Sequence, residues 1–152
     1  MTAAASHHPL HQRYDRILRT VNNPGRYAGC EFTAARFALK KSALKEPVPE
    51  EPVLHVLVAF PDLYESAFAA AERDVVLALL DAHPRLRVEW ACLPALDLER
   101  ALATHDLPLF SLSSRTPLHA FDLVHFVIPE AACFLNVAAM LELGCIPAPA
   151  SE

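Results

Sequence analysis

The sequence predicts an α/β fold: a three-layer, Rossmann-like or flavodoxin-like half domain with a parallel sheet of order 2-1-3 and a helical N-terminal arm. Three observations carry this. Val53 to Phe60 is a nearly unbroken apolar run rich in β-branched residues, the composition of a strand buried on both faces of a parallel sheet. Strand-like segments then alternate with helix-like ones, as in consecutive βαβ units. Right-handed crossovers with the most apolar strand in the centre give the order second, first, third.

The elements follow in order. Residues 1–11 are small, polar and His-bearing, which reads as a disordered tail. Residues 12–45 form a basic arm. Its first helix spans Gln12 to Val21, where Tyr14, Ile17, Leu18 and Val21 recur at intervals of three and four. Asn22-Asn23-Pro24-Gly25 stops that helix with turn chemistry. A second helix-compatible stretch, Glu31 to Leu44, offers Phe32, Ala35, Phe37 and Leu39 as contacts. Residues 46–52 hold three prolines and three acids, a linker that cannot sustain regular hydrogen bonding. The α/β domain occupies 53–147, and 148–152 is a tail.

Within the domain, Pro61 is expected to end the first strand. Asp62 and Glu65, three residues apart, resemble a capping box opening one helix from Leu63 to Ala82. Phe68, Ala71, Val75, Val76, Leu79 and Leu80 are its expected buried stripe. His83-Pro84 closes it, and Leu86 to Cys92 is the second strand, with one face less buried. Past Pro94, a short helix from Asp97 to His105 turns Leu98, Ala101 and Leu102 inward. Leu109 to Leu112 adds a small strand or turn. The third strand is Asp122 to Ile128, ended by Pro129, and an apolar helix from Ala131 to Leu143 stops at Gly144.

Composition narrows the function. The chain has 152 residues, 53% of them hydrophobic, enough for the core of one domain. Three glycines against thirteen prolines exclude a glycine-rich phosphate cradle. The apolar runs fall short of the roughly 20 residues that span a bilayer, and no signal peptide opens the chain. A cytoplasmic protein with no membrane partner is expected. Cys30, Cys92, Cys133 and Cys145 lack the close spacing of a metal or cluster site and read as reduced thiols in or near the core. Residues 1–45 carry eight Lys and Arg against two acids, +6; residues 46–152 carry five against sixteen, −11. A basic arm beside an acidic body suits docking onto the body itself. Nucleic acid is not expected, because the basic residues are scattered and the body repels phosphate.

Four segments resemble a known family: Asn23-Pro24-Gly25-Arg26-Tyr27-Ala28-Gly29-Cys30-Glu31, Ala59-Phe60-Pro61-Asp62-Leu63-Tyr64-Glu65, Leu107-Pro108-Leu109-Phe110-Ser111-Leu112 and Pro117-Leu118-His119-Ala120-Phe121-Asp122. In order and spacing they are similar to the N-terminal region of radical SAM proteins that begin with a cobalamin-binding-like domain. The resemblance covers about residues 17–147. It implies a cobalamin-binding-like α/β domain, followed in the parent proteins by a barrel that uses S-adenosylmethionine and a 4Fe-4S cluster. No C-x-x-x-C-x-x-C occurs here, so neither the cluster nor a catalytic residue is assigned to this chain. The Asp-x-His-x-x-Gly motif of base-off cobalamin binding is also absent: the loop after the first strand has no histidine, and Asp81-Ala82-His83 has Leu86 in the place of Gly.

The candidate residues fall into three groups. Asp62, Tyr64, Glu65 and Glu130 lie at the C-terminal ends of the strands, where open α/β sheets take ligands. Arg26, Tyr27 and Glu31 form a docking motif in the arm. Leu123, Val124, Phe126, Val127 and Ile128 make the third strand an apolar edge, and such edges are normally covered. The expected function is a non-catalytic interaction module that docks on a radical SAM partner chain or, as a homodimer, on itself. The alternatives are a fragment of a cobalamin-dependent radical SAM enzyme, or a binder of a small cobalamin-like ligand at the sheet's switch point.

Overall fold

The computed structural model describes residues 10–29 and 53–147. The second arm helix, the linker, residues 1–9 and 148–152, Cys30 and Glu31 lie outside the described residues, whereas Leu10 and His11, expected in the N-terminal tail, cap and open the first arm helix.

Three strands form one parallel sheet in the order β2-β1-β3, with β1 at Leu54–Leu63, β2 at Leu86–Leu93 and β3 at Leu123–Phe126. Val56 to Phe60 are buried on both sides of the sheet, as a central strand covered on two faces requires. Helices α2 (Tyr64–Ala69) and α3 (Ala71–Asp81) connect β1 to β2 and pack on them. Helices α4 (Leu96–Thr104) and α5 (Phe134–Leu143) touch one another, and α5 also rests on β1. The arm helix α1 (His11–Leu18) lies on α4. Tyr14, Ile17, Leu18 and Val21 are all buried in the same core as Leu57, Leu98, Leu102 and Phe110.

Several local expectations are corrected. Pro61 does not end β1. The ladder passes from Phe60 opposite Cys92 to Leu63 opposite Leu93, so Pro61 and Asp62 bulge out of register and no N–H is demanded of the proline. The helix expected from Leu63 to Ala82 is two helices, broken where Ala70 takes an extended backbone. That break changes the buried face. Val75 and Leu79 are exposed, Leu79 by 70%, and Phe68 and Ala71 are exposed as well, while Ala67 and Arg73 are the buried residues. A capping box does not form: no side chain caps α2, and Glu65 turns away to the arm. The last helix begins as a 3-10 turn over Ala131–Cys133.

The third strand is shorter than expected. Val127 and Ile128 follow it, although the Val127 N–H still bonds to the Ala59 carbonyl at 2.9 Å. Leu123 and Ile128 are exposed, but Val124, Phe126 and Val127 are half-buried against the core. Cys92 and Cys133 are buried, whereas Cys145 is exposed with a left-handed backbone.

Two close approaches fix the surrounding loops. Gly29 has φ +61°, and a Cβ there would stand 2.2 Å from the Leu112 carbonyl oxygen, so only glycine fits. A Cβ on Gly144 would crowd Leu118 at 2.9 Å, and Gly144 is where the chain leaves α5.

Candidate functional site

The C-terminal edge of the sheet is closed over by the arm. Asn23 takes a left-handed backbone and Pro24–Tyr27 form one 3-10 turn, which carries Arg26 and Tyr27 onto the β1–α2 and β2–α4 connections. Arg26 Nη2 meets Glu65 Oε1 at 2.5 Å. The buried Tyr27 hydroxyl accepts the Ala95 N–H at 3.1 Å, and Asp97 Oδ2 accepts the Asn22 N–H at 2.6 Å. Arg26 of the docking motif and Glu65 of the candidate ligand residues therefore meet, a connection invisible in sequence because some forty positions separate them.

Charge follows this geometry. Desolvation opposes the Arg26 charge, but the hydrogen bond and charge of Glu65, with Tyr27 adding, hold the guanidinium above its ordinary pKa. The N–H of Asn22 foremost, then that of Leu98, draws the Asp97 carboxyl below its ordinary value against some desolvation. Burial pushes the Tyr27 phenol up, partly offset by the Ala95 N–H.

The remaining candidates disperse. Asp62 Oδ1 takes the N–H of its neighbour Leu63 at 2.7 Å. Tyr64 stacks on Phe68, with centroids 5.6 Å apart, and on Trp90 at 6.1 Å. Glu130 is exposed beyond β3, its carbonyl accepting the Cys133 N–H. At the bulged end of β1, Asn136 of α5 donates to the Pro61 carbonyl at 2.9 Å.

Three residues escaped sequence reasoning. Arg73 is 2% exposed; its guanidinium lies 4.3 Å over Phe68 and 4.9 Å over Trp90, and bonds Asp74. Cation–π attraction in a desolvated site offsets part of the cost of burying that charge. Glu89 is buried on β2, where Oε2 accepts the hydroxyls of Ser111 at 2.6 Å and Ser114 at 2.7 Å. An Arg amid an alanine-rich helix and a Glu between Val88 and Trp90 were the only signals, and neither stands at a position that the apolar pattern marks as buried. Asn136 offered no comparable signal.

No group of three or more His, Cys, Asp or Glu able to hold a metal ion occurs among the described residues. The bulged end of β1 and the first turn of α2 carry Pro61, Asp62, Tyr64 and Glu65 but no imidazole, so these residues do not fit a histidine-ligated cobalamin. No described helix is long and apolar enough to cross a membrane.

A three-stranded parallel sheet flanked by helices, its C-terminal edge clasped by an N-terminal arm, defines a Rossmann-like α/β fold. The chain belongs to the family described as radical SAM proteins, N-terminal, whose model matches residues 73–152, from α3 onward. No curated protein and no solved structure matches it.

Proposed function

We propose that this domain is a docking module whose open sheet edge receives an extended segment of radical SAM polypeptide, supplied in the same chain or by a partner. The observation that supports it most is the bonding of β3. Leu54 N–H turns to the Arg85 carbonyl beside β2, His55 N–H meets Asp122, and Ala59 accepts Val127. Odd-numbered residues of β1 thus serve β3, and alternation along a parallel strand turns the N–H and C=O of Val124 and Phe126 away from β1. β3 pairs only with β1 among the described strands. Exposed Leu123 and Ile128 border that edge, and α5 presents exposed Phe134 and Leu135. Unsatisfied backbone groups flanked by apolar side chains suit strand addition.

Arg26 and Tyr27 support a structural role for the docking motif, holding the arm to its own domain. No step through cobalamin, S-adenosylmethionine or an iron–sulfur cluster is assigned to these residues.

The test is hydrogen exchange at Val124 and Phe126 combined with mass by light scattering, with and without the radical SAM barrel polypeptide. Fast exchange in an isolated monomer, and protection when the barrel is added, is expected. Protection in the isolated protein as a dimer would make a second copy the occupant. No protection in any state would overturn the proposal.

A further inference from the structure

We propose that Arg26 anchors a binding site for a small oxyanion, a carboxylate or phosphate group, in the place that Glu65 now occupies. Guanidinium presents a rigid fork that matches such groups with two parallel hydrogen bonds. Here Glu65 Oε1 meets the fork at Nη2. The Nε–H is buried and has no partner among the described residues, and a buried donor left unsatisfied is costly. A ligand that bonds Nε and Nη2 together recovers that loss, which the Glu65 contact does not.

Anchor and counter-ion differ in freedom. Arg26 is held by the turn at Asn23 and Pro24, with its neighbour Tyr27 buried and bonded to Ala95. The Glu65 side chain is 58% exposed, against 27% for Arg26, so it can swing into solvent as a hydrated carboxylate and leave the desolvated guanidinium to another anion. The pair stands beside the ends of β1 and β2, at the edge where open α/β sheets take ligands. Glu65 is then an internal competitor rather than a ligand-binding acid, and the site is open for the fraction of time that it swings away.

The side-chain Nε–H resonance of Arg26 reports on this directly. It is followed in the whole chain while inorganic phosphate, and separately acetate, is added at constant ionic strength, with chloride as the control. A saturable shift is expected with phosphate or acetate and not with chloride; the stronger of the two identifies the oxyanion class. Glu65→Gln removes the competitor and tightens binding by roughly fivefold, the scale of an exposed ion pair. Arg26→Lys keeps the charge but lacks the fork, and loses the binding seen at neighbouring backbone amides. Unchanged backbone spectra elsewhere show that each variant is folded; if Arg26→Lys is not, the Glu65→Gln comparison alone decides. A shift equal in chloride, or no tightening in Glu65→Gln, would overturn the proposal.

Discussion

Arg26 and Glu65 join the arm to the first turn of α2 at 2.5 Å, across the edge of the sheet at which the chain leaves β1. The pair is partly solvated, so its strength is limited by screening. A double-mutant cycle of Arg26→Ala and Glu65→Ala, read by urea unfolding, is expected to give a coupling energy of about 1 kcal/mol or less. A coupling several times larger would mean that the pair is the main tether of the arm.

The arm's firmer attachment is steric. Gly29→Ala places a methyl group against the Leu112 carbonyl at a left-handed φ, and is expected to cost about 2 kcal/mol or more. Its urea midpoint should fall, whereas Gly25→Ala, with open space around its Cβ, should change it little.

Tyr14 ties α1 to the loop before β3. Its hydroxyl donates to the Pro108 carbonyl at 3.1 Å and its ring lies 4.4 Å from Phe110. Tyr14→Phe should cost about 1 kcal/mol, and truncation to Ala about 3 kcal/mol or more. Burial first of all pushes its phenol up to about 12. The folded state thus holds this proton more tightly than the unfolded chain does. The contribution is intact below the ordinary phenol range near about 10 and is lost as pH rises through about 12. Absorbance titration should show late-ionising tyrosine signal from Tyr14 and Tyr27, of which Tyr14→Phe removes the Tyr14 part and leaves that of Tyr27.

Arg73 is a buried charge whose Nη1 has no partner among the described residues. Arg73→Met keeps volume against Phe68 and Trp90 while removing that charge, and is expected to leave thermal stability unchanged or raise it. Arg73→Ala, which empties the same space, should lower stability by about 2 kcal/mol or more. Equal losses in both variants would show that the cation–π contacts, rather than packing, hold α3 to the sheet.

The sheet was legible because its signal is local. Seven apolar residues among the eight from Val53 to Phe60, and a run from Asp122 to Ile128 stopped by Pro129, mark segments by composition, and chirality then orders them. Helix phase between Phe68 and Leu80 was not legible. The break at Ala70 has no glycine or proline to announce it, and it turns Arg73 rather than Val75 to the sheet. The candidate site was half legible: Arg26 and Glu65 stood out separately, one read as a docking residue and the other as a cap or ligand acid.

What the sequence determined by itself was the α/β class, the order 2-1-3 and the buried positions of α1 and α4. These follow from hydrophobic periodicity and the handedness of crossovers, which act over a few residues at a time. Only the tertiary structure decided that Arg26 pairs with Glu65, that Gly29 abuts Leu112, that Asn136 reaches Pro61 and that Glu89 is buried under Ser111 and Ser114. Each joins segments remote in sequence, where a polar side chain's partner is fixed by which surfaces the apolar core has already brought together.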